Sequence, residues 1–177
     1  MIQSPTGSST EMTIIYQGKR LSVELRNVSL PNGKTREAII VHPGGAVAML
    51  PCDGDDCYLI RQYRPAVGDY IYEAPAGTME PGETPVETAY RELIEETRLR
   101  SGNFISRGVI LTSPGYTDEV LHLFEARDLE PADEYQPDED EVIDVVRIRR
   151  SVAEEMARDG RIADAKTIAL LFRCQEL

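Results

Sequence analysis

The stretch GTMEPGETPVETAYRELIEETRL, residues 77–99, contains a whole helix with its start signal and both of its faces. Thr84 is a favourable N-cap, Pro85 suits the first helical position because no N–H is needed there, and Glu87 completes a capping box with Thr84. The spacing predicts a helix from Pro85 to about Thr97. At 100° per residue, Val86, Ala89, Tyr90, Leu93, Ile94 and Thr97 fall on one side, with Glu92, Glu95 and Glu96 on the other. Glu92 lies three residues before Glu95 and four before Glu96, so like charges are neighbours at a cost of about 0.2–0.5 kcal/mol per pair. Glu80, Glu83 and Glu87 crowd the same region. Two readings follow: the solvated face of an ordinary amphipathic helix, or a set of hard oxygen donors for a divalent cation.

Outward from this helix the chain is dominated by strands. Residues 12–41 are rich in Val, Ile and Leu, and Asn32-Gly33 between two such runs favours a tight hairpin turn, which reads as an antiparallel sheet. Further strands are expected at residues 46–50, 58–63, 71–74, 104–111, 120–126 and 142–148, separated by Gly, Pro and Asp clusters. A second helical region opens with a capping box of Ser151 and Glu154 and stops at Gly160. Asp164 can cap a last helix over residues 165–176 with Ile168, Leu171 and Phe172 on one face. Strands outnumber helices, and the class is α+β.

The length of 177 residues suits one globular domain with its own core and leaves little room for a second. Lys and Arg total 19 against 31 Asp and Glu, a net charge of −12 that repels nucleic-acid backbones and anionic lipid. No apolar run has the length of a membrane span and the first residues lack a secretory pattern, so the expectation is a cytoplasmic protein. Cys52, Cys57 and Cys174 are odd in number and form no CxxC pair, which points to free thiols. His42 and His122 read as surface or packing residues.

The order Gly77, five residues, Glu83, seven residues, Arg91-Glu92-Leu93-Ile94-Glu95-Glu96-Thr97-Arg98-Leu99 resembles the Nudix box, and every specified position matches except Arg98, where the pattern has Gly. The resemblance implies that Glu92 and Glu96 are the main ligands of Mg2+, for which Mn2+ can substitute. Glu95 is a further ligand or water contact, and the Ala76 carbonyl a further candidate. Glu83 and Arg91 would hold loop and helix together, and Gly77 would let the backbone turn close beside the metal. Arg98 leaves two possibilities, a residue strained by about 1 kcal/mol in a left-handed conformation or a different helix end.

Three stretches are similar to the ADP-ribose pyrophosphatase branch of that family: Arg61-Gln62-Tyr63-Arg64, Glu73-Ala74-Pro75-Ala76-Gly77, and Ser113-Pro114-Gly115 leading to Glu119, with Pro114 fifteen residues beyond Leu99. The resemblance assigns substrate contacts to Arg61, Arg64, Glu73, Ser113, Gly115 and Glu119, with Arg64 and Arg61 as cationic forks for a diphosphate. Tyr70 or Tyr72 can stack on a base. Pro137-Asp138-Glu139-Asp140-Glu141 is similar to an acidic loop that carries the catalytic base, for which Glu139 is the first candidate and Glu141 the second.

The fold implied is the Nudix fold, a mixed β-sheet sandwiched between α-helices, with an N-terminal antiparallel β-sheet. Residues 1–43 would form that sheet as a dimerisation or strand-exchange element, and residues 44–177 the catalytic domain. The reaction implied is hydrolysis of ADP-ribose, a small nucleoside diphosphate derivative, to AMP and ribose 5-phosphate by a homodimer. The alternatives are a nucleotide-sugar or dinucleotide pyrophosphatase of the same superfamily, and a nucleotide-binding sensor that does not hydrolyse.

Overall fold

The Asn32-Gly33 turn joins two long strands as expected, although its loop is one residue longer than the tightest hairpin. In the computed structural model, which describes residues 12–132 and 143–175, the Leu30 N–H bonds to the Lys34 carbonyl around Pro31-Asn32-Gly33, and Gly33 takes φ 79°. A three-residue loop of this kind ends on a left-handed residue, which Gly adopts at no steric cost. It connects β2 (Ser22–Ser29) to β3 (Thr35–His42), and β1 (Met12–Gln17) pairs on the other side of β2, all antiparallel.

The chain divides into two units. The first comprises residues 1–44 with 111–119, so the segment around Ser113 joins the three-stranded sheet. Val41 N donates to the Tyr116 carbonyl at 2.8 Å, and His42 Nδ1 lies 2.6 Å from Asp118 Oδ2. His42 Nε2 lies 3.4 Å from the buried Glu24. This histidine therefore ties β3 to the segment before Glu119.

The second unit is built on a seven-stranded sheet in the order β10-β5-β4-β9-β8, with β6 beside β5 and β7 beside β4. Its strands are β4 (Ala46–Asp53), β5 (Asp56–Arg64), β6 (Asp69–Glu73), β7 (Ala76–Thr78), β8 (Leu99–Leu111), β9 (Val120–Pro131) and β10 (Ile143–Arg149). The β4–β9 pair is parallel whereas β5 is antiparallel to β4, β6 and β10, so the sheet is mixed. Side-chain alternation along β4 separates two cores. Val47 and Met49 join Ala89, Leu93, Phe124 and Ala126 beneath α1 (Pro85–Thr97). Ala48 and Leu50 join Leu59, Leu123, Ala153, Met156, Leu170 and Leu171 beneath α2 (Arg150–Asp159) and α3 (Ala165–Arg173). The sheet is thus sandwiched between helices, in the α+β class expected. No helix among the described residues is long and apolar enough to cross a membrane.

Three local expectations need correction. The buried face of α1 is Thr88, Ala89, Leu93, Glu96 and Thr97, while Val86 and Tyr90 are exposed. Ala89, Leu93 and Thr97 are inside as expected, but a wheel that sorts by hydrophobicity misses the rest of the face, because Thr88 and Glu96 are buried with polar partners. The Ser151 capping box does not form: α2 starts at Arg150, and the Arg150 N–H bonds instead to the Asp55 carbonyl. On α3 the buried residues are Thr167, Leu170 and Leu171, with Ile168 and Phe172 exposed. The caps at Thr84, Gly160 and Asp164 stand as expected.

Candidate active site

Two residues of β7 determine how the carboxylate helix meets the sheet. Gly77 lies so close to α1 that a Cβ on it would overlap the Glu92 carboxylate. One residue earlier, the Ala76 N–H donates to Glu96 Oε2 at 2.8 Å. Glu92 and Glu96, one helical turn apart, are therefore both drawn onto the same two residues of backbone. Their side chains are far from fully solvated: Glu96 is 7% exposed. This answers the first of the two sequence readings, since an ordinary solvated face would turn both carboxylates outward.

The loop before α1 is locked to it by an arginine. Arg91 grips Glu83 as a fork, Nε to Oε1 and Nη2 to Oε2, each at 2.9 Å. Glu83 also accepts from the buried Thr88 hydroxyl at 2.8 Å and from the Glu80 N–H at 2.9 Å. These bonds, those from Arg91 foremost, pull the Glu83 pKa down to about 2. Arg91 Nη1 continues to Glu92 Oε1 at 2.7 Å and Glu95 Oε2 at 3.0 Å, and Nη2 reaches the Thr78 carbonyl at 3.2 Å. One guanidinium thereby gathers three of the glutamates, which offsets their mutual repulsion. Arg98 ends the helix in the left-handed conformation, φ 59° and ψ 26°, with its N–H bonded to the Ile94 carbonyl. Of the two possibilities raised by its departure from the motif, the strained one is realised.

With Arg91 between Glu92 and Glu95, no three carboxylate, thiol or imidazole groups among the described residues form a ready metal cage. The donor set still fits a hard divalent cation. Glu92, Glu95 and Glu96 are oxygen donors on one rigid helix, and the cradle that admits the Glu92 carboxylate exists only because residue 77 has no side chain.

The family model for the NUDIX domain matches residues 42–171. The chain belongs to the NUDIX family. It is 35% identical over 155 residues to the ADP-ribose pyrophosphatase of Bacillus subtilis, covering 86% of this chain and 84% of that protein. It is 36% identical over 140 residues to the GDP-mannose pyrophosphatase of Cronobacter sakazakii, covering 75% and 73% respectively. A crystal structure of an ADP compounds hydrolase superposes with a TM-score of 0.81 at 25% identity, over 92% of this chain and 89% of that one.

The other expected residues fall into separate groups. Arg64 and Glu73 meet directly, Nε to Oε1 at 2.6 Å and Nη2 to Oε2 at 2.9 Å. Glu73 is buried, and Lys166 of α3 bonds to its second oxygen. Burial opposes ionisation of Glu73, but the Arg64 hydrogen bonds and the Lys166 charge outweigh it and hold its pKa below the ordinary value. Arg61 lies over the Tyr70 ring at 4.5 Å and 3.7 Å from Asp144, and Tyr70 packs edge-on against Tyr63. Tyr72 packs partly into the α2–α3 core. Ser113, Gly115 and Glu119 belong to the first unit, where the Ser113 carbonyl accepts from Tyr116 and Thr117 in a turn and the Glu119 N–H donates to Thr117 Oγ1. Glu139 and Glu141 lie outside the described residues.

Lys166 and Thr167 have no counterpart in the sequence reading. Their partners Glu73 and Ala74 are 93 residues away in both cases, and nothing local marks such a contact.

Proposed function

We propose that this chain hydrolyses the diphosphate bond of ADP-ribose to AMP and ribose 5-phosphate. The observation that carries the reading is the convergence of Glu92 and Glu96 on the Ala76–Gly77 backbone. Glu92 and Glu96, with Glu95 and the Ala76 carbonyl, would hold Mg2+, or Mn2+ in its place. When bound, such an ion neutralises diphosphate oxygens and acidifies water. Glu83 and Arg91 keep loop and helix in register. Arg64 and Arg61 bind the diphosphate, Ser113, Gly115 and Glu119 the ribose side, and Glu139, or Glu141 after it, takes the proton of the attacking water. Similarity to an ADP-ribose pyrophosphatase over most of both chains supports the substrate.

A second reading, hydrolysis of a nucleotide sugar, is favoured by the similarity to a GDP-mannose pyrophosphatase. Turnover of ADP-ribose, GDP-mannose, NADH and diadenosine polyphosphates with Mg2+ separates the two. Preference for ADP-ribose, with activity lost in Glu96→Gln, supports the first reading, and preference for any other substrate overturns it. Binding of ADP-ribose with no AMP released would make the protein a sensor.

The protein acts in the cytoplasm as a homodimer joined through residues 1–43, leaving residues 44–177 as the catalytic domain. Met12, Ile14, Ile15, Tyr16 and Ile39 are exposed on the first unit, an apolar surface that a second copy would cover. Sedimentation equilibrium at a monomer mass of 19.8 kDa would refute the dimer.

A further inference from the structure

The segment from Glu73 to Gly77 is held at every residue, each time by a different group. Glu73 is gripped by Arg64 of β5 and Lys166 of α3. The Ala74 N–H donates to Thr167 Oγ1 at 2.6 Å. The Pro75 carbonyl accepts from Met49 N–H at 2.9 Å. Ala76 pairs with Ala48 and donates to Glu96, and Gly77 lies against the Glu92 carboxylate. The start of this segment thus belongs to α3 and its end to α1.

The two α3 residues are braced in turn. Thr167 is completely buried, and its hydroxyl donates to Asp164 Oδ2 at 2.5 Å, which leaves its lone pairs for the Ala74 N–H. Lys166 Nζ also donates to Asp164 Oδ1 at 3.1 Å, and its side chain is 15% exposed. Asp164 is therefore both the cap of α3 and the brace for both residues that reach the segment.

We propose that Lys166 and Thr167 are positioning residues, through which α3 fixes the backbone that Glu92 and Glu96 rest on. The docking of α3 then sets the geometry of the cation site through the Glu73–Gly77 segment. This role rests on the reading above, in which those glutamates hold a divalent ion during diphosphate hydrolysis. It differs from substrate contact in what it controls: ion affinity and turnover, not affinity for the diphosphate.

The test uses the full chain with Lys166→Met, Lys166→Arg and Thr167→Val. Mn2+ binding is measured without substrate from the electron paramagnetic resonance signal of the free ion, and kcat and KM are measured separately with ADP-ribose. Loss of an outer support of a metal site typically costs about 10–100-fold in metal affinity or activity. Lys166→Met and Thr167→Val are expected to weaken Mn2+ binding and lower kcat by amounts in that range with KM little changed, and Lys166→Arg to recover most of the loss. Unchanged Mn2+ affinity overturns the proposal, and a raised KM beside it would make Lys166 a substrate contact. Melting curves identify any variant that fails to fold. Thr167→Val, matched in shape and charge, carries the test should Lys166→Met do so. Wild-type protein that binds Mn2+ but leaves ADP-ribose intact overturns the substrate reading alone, and the Mn2+ comparison still decides the positioning role. Wild-type protein that binds no Mn2+ overturns both.

Discussion

The carboxylate of Glu92 fills the space in which a side chain on Gly77 would begin. Even a methyl group there must displace either β7 or the first of the paired glutamates. Because β7 is held to β4 by its own ladder, the expected yield is on the glutamate side. A displacement of about 1 Å at a reacting centre can cost about 100-fold in rate. Gly77→Ala should therefore lose about that much kcat with ADP-ribose while keeping the native circular dichroism spectrum. Wild-type turnover in this variant would mean that Glu92 has no fixed place in the site.

At the other end of the same helix, Arg98 occupies a conformation that suits glycine. A left-handed residue with a side chain costs about 1–2 kcal/mol, part of which returns because glycine gives up more freedom on folding. Arg98→Gly should stabilise the protein by about 0.5–1 kcal/mol, read as a higher urea midpoint at unchanged slope. Activity should be unaffected, since the C-cap N–H bond to Ile94 uses only backbone.

Glu83 should be visible in the acid limb of stability. Its folded pKa of about 2, set first by the Arg91 hydrogen bonds, lies below the ordinary 4.5. Between these values the unfolded chain takes up a proton that the folded chain refuses, so stability falls as pH drops from about 4.5 toward 2 and is fully present above 4.5. Glu73, Glu87 and Glu125 are shifted the same way and add to the slope. Comparison with Glu83→Gln isolates its part: the variant should be less stable at neutral pH, and the two proteins should converge near pH 2. Parallel curves across that window would show that Arg91 does not hold Glu83 ionised.

Sequence carried the parts of this site that are local. The Thr84–Glu87 box and the Gly77-to-Leu99 spacing act within α1 and the residues just before it, and the Asp164 cap within the start of α3, where residue type and spacing determine the contacts. The buried face of α1 was legible only in part: Ala89, Leu93 and Thr97 lie inside as expected, whereas Glu96 and Thr88 enter the interior on the strength of bonds to Ala76 and Glu83 that hydrophobicity does not register. Arg64 was expected to grip a diphosphate, and in the fold its fork closes on Glu73. The contact of Lys166 with Glu73 could not be read at all, since that carboxylate lies 93 residues away in the sequence.

The three cysteines bear on the same limit, and their chemistry gives a last prediction. Cys57 and Cys174 are buried in the core beneath α2 and α3, with Cys52 packed against it. Cys52 and Cys57 face each other across β4 and β5. Burial, before any neighbouring charge, pushes Cys52 and Cys57 up to about 12 and Cys174 to about 11. Glu125, itself buried between Arg107 and Arg127, adds to the shift on Cys52 and Cys174. Only the thiolate reacts, and at pH 8 such pKa values leave about one thiol in a thousand or fewer ionised. Native protein should therefore react with a disulfide reagent at pH 8 far more slowly than an exposed cysteine does. In guanidinium all three thiols of the chain should titrate at once. A single fast thiol in the native state would have to be Cys52, the least buried of them, and would show that the hairpin at the end of β4 opens to solvent.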